Sequence, residues 1–330
     1  MIAGAALADW LADREAQQRS RDAVEAVSVT WAHHPLKTDL ERRLAALPEP
    51  SAAAVLDAAR AFLDRDEDIA ALLAAMRAGS LADPFFRPPF QPVSSEVQAG
   101  LLLFHSRDLS ISLGVSGVDQ LAAKKAGARG SSSISFTGIT ALFRFVKAGG
   151  ATLSFWEAPP IGDDFVAAKA GSCRLTGRRR IADGEEIVLD GRCQSFVIEH
   201  AESDIVYFHA MVRPEAAPLA VEYDSKTLAF AGASSTDEAA SRMEIMVSLL
   251  RTMDREDAVP LIVEVLASPH FYTRWHVMRE LLALDAEAAR PHLERMAEAD
   301  PHPEVRAAAR QTLDLFFADE AAPEAASCRA

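Results

Sequence analysis

The residues of this 330-residue chain with the chemistry for a site are its nine histidines and the carboxylates and hydroxyls near them. His105, His200 and His209 fall in the middle of the chain, the last two on successive stretches of alternating polarity. Three imidazoles on one sheet face, joined by Glu199 or Glu202, would hold a transition metal. Histidines at strand ends that only hydrogen-bond would give the same sequence without a metal. His33 and His34 precede Pro35 at a helix boundary, where adjacent imidazoles point apart and serve as caps or face solvent. His270 and His302 each follow a proline, a repetition that assigns them to turns between helices. The acidic runs Asp66-Glu67-Asp68, Asp163-Asp164 and Glu185-Glu186 read as solvated charge at turns and helix starts.

Covalent and phosphate chemistry lack their signatures. Ser116, in Gly114-Val-Ser-Gly-Val, has no second glycine to complete a GxSxG elbow. No GxxxxGK[ST] occurs, so the Gly127–Ser133 loop is not a phosphate cradle, and neither GxGxxG nor HExxH is present. Cys173, Cys193 and Cys328 form no CxxC pair. No cofactor is expected.

The elements that must position these residues change texture along the chain. Residues 1–81 carry helical apolar stripes at Leu40-Leu44-Leu47, Val55-Leu56-Ala59-Leu63 and Ile69-Leu72-Leu73-Met76. Asp39 and Ser51 are the expected N-caps, and Gly79 the expected stop. Residues 82–99 open with four prolines and three phenylalanines within 82–92, which bars a helix or a central strand and predicts a linker whose aromatics lie against the next domain. Residues 100–231 alternate in eleven short runs, 101–104, 110–115, 132–136, 140–146, 151–157, 172–178, 185–190, 194–200, 205–211, 217–223 and 227–231. Gly149-Gly150, Asp183-Gly184 and Asp190-Gly191 stand where hairpins need positive φ. Residues 117–131 carry helix formers and then a glycine–serine stretch.

From 237 to 318 an internal repeat appears: Arg242, Arg274 and Arg306 are 32 residues apart, as are Leu249, Leu281 and Leu313. Pro269-His270 returns as Pro301-His302, and Asp254, Glu256, Ala258 and Pro260 return one residue early as Asp285, Glu287, Ala289 and Pro291. Such a period built of amphipathic hairpins predicts an α-solenoid. Residues 319–330 are low in complexity and expected to be disordered.

Composition bounds the partners. The net charge of −14 disfavours nucleic acid and anionic membranes, both of which attract a positive field. The run Arg178-Arg179-Arg180 is expected on a solvated turn. The N-terminus has neither the basic start of a signal peptide nor the length to span a bilayer, and no other apolar run exceeds strand length. A bacterial, cytoplasmic protein is expected.

Two resemblances follow from these residues. Asp300-Pro-His-Pro-Glu-Val-Arg-Ala-Ala-Ala-Arg resembles a HEAT repeat, which implies an Asp–Arg ladder between units. Asp300 and Arg306 match its positions; in the unit before, Arg274 matches but Ser268 replaces the aspartate. The β region resembles the cupin family in strand layout and turn placement. The motif G(X)5HXH, laid on Gly150, meets Trp156 and Ala158, and G(X)5PXG(X)2H(X)3N, laid on Gly184, meets Asp190, Arg192, Ser195 and Glu199. The resemblance therefore implies a jelly-roll barrel that has lost its metal histidines and pairs through its outer sheets.

That register points Thr152, Ser154 and Trp156 inward with Ser195, Val197 and Glu199, and turns Leu153, Phe155, Phe196 and Ile198 outward. The ligand set would be Trp156, Ser154, Gln194, Ser195 and Glu199. The opposite register, with an apolar interior, fits the alternation equally well.

The chain is thus expected to be an α+β multidomain protein. A helical N-terminal region precedes a central antiparallel β jelly-roll, cupin-like barrel and C-terminal HEAT-like helical hairpins. The leading function is non-enzymatic: binding of a small molecule in the barrel, and of another protein or a second copy on the solenoid. The alternative is a divergent cupin-type isomerase, epimerase or metal-dependent oxygenase using His105, His200 or His209 with Glu199.

Overall fold

The computed structural model describes residues 4–127, 132–162 and 165–317. Residues 128–131 of the glycine–serine loop, the Asp163-Asp164 pair and the 319–330 tail with Cys328 lie outside the described residues. Contacts divide the chain into two compact units. The first takes 1–158, 173–216 and 223–229; the second takes 159–172, 217–222 and 230–330.

The first unit opens with five helices, α1 (Gly4–Ala12), α2 (Arg14–Ala32), α3 (Pro35–Ala45), α4 (Ala52–Leu63) and α5 (Asp66–Ala82). Ser51 caps α4 by accepting from the Ala54 N–H, as expected. Asp39 is not a cap: it lies inside α3, where it pairs with Arg43, and His34 caps that helix through Nδ1. Gly79 does not stop α5 either; the helix runs on to Ala82, and the Phe86 ring packs so closely on Gly79 that an added Cβ would lie 2.9 Å from it. Phe90 stacks edge-on to Trp31 at 5.4 Å.

The strands are β1 (Gln91–Ser94), β2 (Gln98–His105), β3 (Leu109–Ser116), β4 (Ser133–Phe136), β5 (Thr140–Lys147), β6 (Thr152–Glu157), β7 (Arg174–Arg180), β8 (Glu186–Asp190), β9 (Gln194–His200), β10 (Ile205–Val212), β11 (Leu219–Asp224) and β12 (Phe230–Ser235), with α6 (Val118–Gly127) between β3 and β4. In the first unit, six strands run in the order β1-β2-β3-β10-β5-β8 and three in the order β7-β6-β9. The pairings are antiparallel. Neither sheet closes on itself, so the expected barrel is found as antiparallel sheets. Pro92 sits on β1, at the sheet edge, where a missing N–H costs no ladder bond.

Alternation sets two layers of core. Leu109, Ile111, Leu142, Phe208, Ala210 and Val212 face one side of the large sheet and pack with Val55, Ala59, Phe62 and Leu63 of α4. On the other side Phe145, Ile187, Ile205 and Tyr207 meet Leu153, with Phe155, Phe196 and Ile198 packed against them. Leu153 and its neighbours therefore face the interior, and the register is the one with an apolar inside.

In the second unit, α7 (Glu238–Thr252), α8 (Val259–Val265), α9 (Phe271–Leu284), α10 (Ala286–Ala299) and α11 (Pro303–Phe316) form a stack in which α9 packs on α7, α8 and α10, and α10 on α11. Their buried stripes, such as Val277, Met278 and Leu281 on α9 and Ala289, Leu293 and Ala297 on α10, make one core.

Candidate functional site

Three of the five residues expected to bind ligand line one cleft of about 400 Å3 in the first unit: Trp156, Gln194 and Ser195. Strand β6 brings Trp156 opposite Ser195 of β9, and Glu157 opposite Gln194. Ser154 lies beneath, fully buried, accepting from the Trp156 indole N–H at 3.0 Å and so fixing the ring. Ser195 donates to the Ser135 carbonyl, and Gln194 accepts from the Asp190 N–H at 3.2 Å. Glu199 does not line this cleft; it stands beside Arg178, at 3.9 Å.

The cleft also holds Thr176, Arg179 and Glu186, which sequence reading missed. Arg179 lies 5.0 Å over the Phe155 ring and pairs with Glu185. The only trace of it was the arginine run. That run is not a turn: Arg178, Arg179 and Arg180 lie on β7, all exposed, opposite Ser154, Leu153 and Thr152. Glu186 accepts from Arg60 at 2.8 Å and from Arg144 at 3.0 Å. Burial pushes its carboxyl up, but the two guanidinium groups outweigh this and hold it below the usual range. Each polar group here is thus already oriented by a neighbour, and Glu186 is held ionised.

The histidines do not converge. His105 and His209 lie on β2 and β10, with β3 between them. His105 Nδ1 is 2.9 Å from Ser110 Oγ. His209 stacks on Phe143 at 4.2 Å, and burial drives its pKa down to about 4, so the ring is neutral. His200 belongs to β9, is exposed, and sits opposite Thr152. Among the described residues, no group of three or more His, Cys, Asp or Glu side chains could hold a metal ion. The metal-ligand alternative therefore has no assembled site among them. Cys173 and Cys193 are free thiols.

The second unit presents surface of a different kind. One face of α7 (Met243, Met246, Val247, Leu250) and residues of α8 (Leu261, Ile262, Val265) line an open groove of about 670 Å3, with Asp237 and Glu264 also in its lining. Met246 and Leu261 are 57% and 63% exposed, which no folded core requires. At the turns, the arginine repeat does structural work. Arg274 Nη1 donates to the carbonyls of Ser268 and Pro269, and Arg306 Nη1 to those of Asp300 and Pro301, 32 residues on. Arg274 also forks onto Asp300 of the following repeat with two 2.7 Å bonds. The intact rung is therefore Arg274–Asp300, not one between Asp300 and the Arg306 side chain of its own repeat. Arg242 stays at the surface with Glu238. His270 and His302 occupy the N-cap positions of α9 and α11, and His302 stacks on Phe271 at 3.9 Å.

Among the described residues, no helix is long and apolar enough to cross a membrane. A search of curated proteins finds no match to the chain. Among solved structures, the chain is similar to ectoine synthase from P. lautus, at 11% identity over 37% of this chain and 69% of that one, with a TM-score of 0.23. A cupin domain from Bordetella pertussis matches at 6% identity over 37% of this chain and 98% of that one, with a TM-score of 0.23. KdgF from Halomonas sp. matches at 13% identity over 38% of this chain and 87% of that one, also at 0.23. Residues 231–314 match the family model of HEAT repeats, and the helical array of the second unit is a HEAT-repeat array.

Proposed function

We propose that the chain is a cytoplasmic, non-enzymatic interaction protein whose HEAT array docks a basic amphipathic helix of a partner in the α7–α8 groove. The observation that carries this reading is the apolar lining of that groove, in which Met243, Met246 and Leu261 are exposed beside the buried Val247 and the half-buried Leu250. Methionine-rich grooves adapt to apolar helix faces. Charge selects the occupant. Residues 231–317 contain 15 carboxylates, nine arginines and no lysine, a net of −6. A second acidic copy would be repelled where a lysine- or arginine-flanked helix would be attracted. In the first unit, the cleft at Trp156, Gln194 and Ser195 would take a small polar ligand.

A fluorescent amphipathic leucine–lysine helix tests the docking. Titrated against the full chain, it should bind saturably, and Met246→Asp or Leu261→Asp should weaken it by about tenfold or more. Equal binding by a scrambled peptide of the same charge would reduce the effect to bulk electrostatics and end the proposal. Self-association abolished by Met246→Asp in sedimentation would make the occupant a second copy instead.

A further inference from the structure

Beside its core face, helix α9 carries a second stripe, of which Trp275 packs on the edge of the core. On α9 the core uses Thr273, Arg274, Val277, Met278 and Leu281. Tyr272, Trp275, His276 and Arg279 form a separate i, i+3, i+4, i+7 stripe on the same helix and line a cavity of about 500 Å3. Its other walls, all in the second unit, include Phe165, Phe230, Ser235, Glu244, Phe271 and Glu304. The volume lies within the range that small-ligand sites occupy.

Its polar groups are held and partly unspent. Glu244 accepts from Thr273 Oγ1 at 2.7 Å, and Glu304 accepts from the Ala167 N–H at 2.8 Å, each through Oε1, leaving the second oxygen of each carboxylate. Ser235 donates to Tyr272 Oη at 3.0 Å, which fixes that ring. Arg279 has no hydrogen-bond or ion-pair partner among the described residues, whereas Arg251, Arg274 and Arg290 of the same array are each paired with a carboxylate. Carboxylates among ring faces attract an ammonium group, and an unpaired guanidinium offers a fork for a carboxylate.

We propose that this cavity binds a small zwitterion with an aromatic or branched apolar body, of the α-amino acid class. The ligand ammonium lies against Glu244 and Glu304, its carboxylate against Arg279, and its body between Phe230, Tyr272 and Trp275. This site is separate from the α7–α8 groove, and neither reading needs the other.

Calorimetric titration of the full chain with L-phenylalanine and L-leucine tests it, with phenethylamine and 3-phenylpropionate as probes that each lack one charge. Saturable 1:1 binding of an amino acid is expected, about tenfold or more tighter than either analogue, since each lost contact is a hydrogen bond to a charged group. Arg279→Met should weaken the amino acid similarly and leave phenethylamine unchanged. Glu244→Gln should weaken the amino acid and phenethylamine but not 3-phenylpropionate. Unchanged thermal midpoints would separate these losses from misfolding, and Trp275→Ala gives an independent loss of the wall. No saturable binding of either amino acid at millimolar concentrations, or an Arg279→Met chain that binds as the parent does, overturns the proposal.

Discussion

The two units treat buried charge in opposite ways. In the first, ion pairs stay partly exposed, Glu186 and Arg144 at 25% and 21%, and the half-buried imidazole stacked on Phe143, His209, is neutral. In the second, Arg274 and Asp300 are paired at 11% and 4% exposure, between repeats. A unit with two layers of core can fix its strands by apolar packing alone. A short stack of hairpins has only one thin core, and a bidentate pair between residues 26 positions apart sets how one repeat seats on the next. Such a pair adds little net stability over an apolar substitute, yet breaking it leaves a buried charge.

The largest effect should come from that asymmetry. Asp300→Ala strands the Arg274 guanidinium and should cost about 3–5 kcal/mol. Urea unfolding followed by hydrogen exchange should show the loss in α9–α11 and leave the β sheets unchanged. Loss shared equally by both units would break the contrast. Acid should act likewise. Burial raises the Asp300 carboxyl, but the Arg274 donors and the His302 N–H outweigh it and hold the group below its usual 3.8. Its contribution is present above that value and disappears as pH falls through the lower folded one.

The first unit should respond to acid earlier and for the opposite chemical reason. Unfolded His209 takes a proton below pH 6.5, whereas the folded ring resists until about 4. Stability is therefore complete above pH 6.5 and falls between 6.5 and 4, by about 3 kcal/mol at most. In His209→Phe, which keeps an aromatic ring against Phe143, the unfolding midpoint should be flat across that window. A decline as steep as the parent's would mean that another group titrates.

How far these features could be read from the sequence depends on what fixes each one. Strand β9 occupies 194–200, as alternation predicts, and Ser51 caps α4 because that bond is made within one turn. The arginine repeat was legible, but its partner was not. Arg274 reaches an aspartate in the following repeat, a contact set by stacking rather than by spacing within a unit. Pro260 and Pro291 match in the repeat, yet the first starts α8 and the second lies inside α10, so equal spacing did not mean equal placement. Register on β6 was equally hidden, since shifting which face is buried preserves the alternation; the packing of Leu153 and Phe155 decides it. Trp156, Gln194 and Ser195 still share a cleft because it draws on both faces of that sheet.

A smaller effect separates two hairpin glycines that look alike in sequence. At Gly149 φ is +59°, and an added Cβ would lie 2.4 Å from the Ser203 carbonyl oxygen. At Gly184 φ is +79°, but the space is open. Gly149→Ala should cost about 1–3 kcal/mol, and Gly184→Ala about 1 kcal/mol from its backbone conformation alone. Equal urea midpoints would show that the Gly149 turn relaxes.

The smallest effect on stability should come with the largest on solubility. Strand β7 is the edge of its sheet, and its arginines face Glu199, Glu185 and Glu202 across exposed pairs. Exposed pairs of this kind contribute about 0–1 kcal/mol each, so replacing Arg178, Arg179 and Arg180 with threonine should barely move the unfolding midpoint. Charge on an open edge serves another purpose, which is to prevent a second strand from pairing there. The triple variant should therefore scatter light at concentrations where the parent is clear, while Arg242→Thr, on a helix, should not. If both stay clear, the arginines of β7 protect no edge, and the interface risk of this molecule lies in the second unit's apolar groove alone.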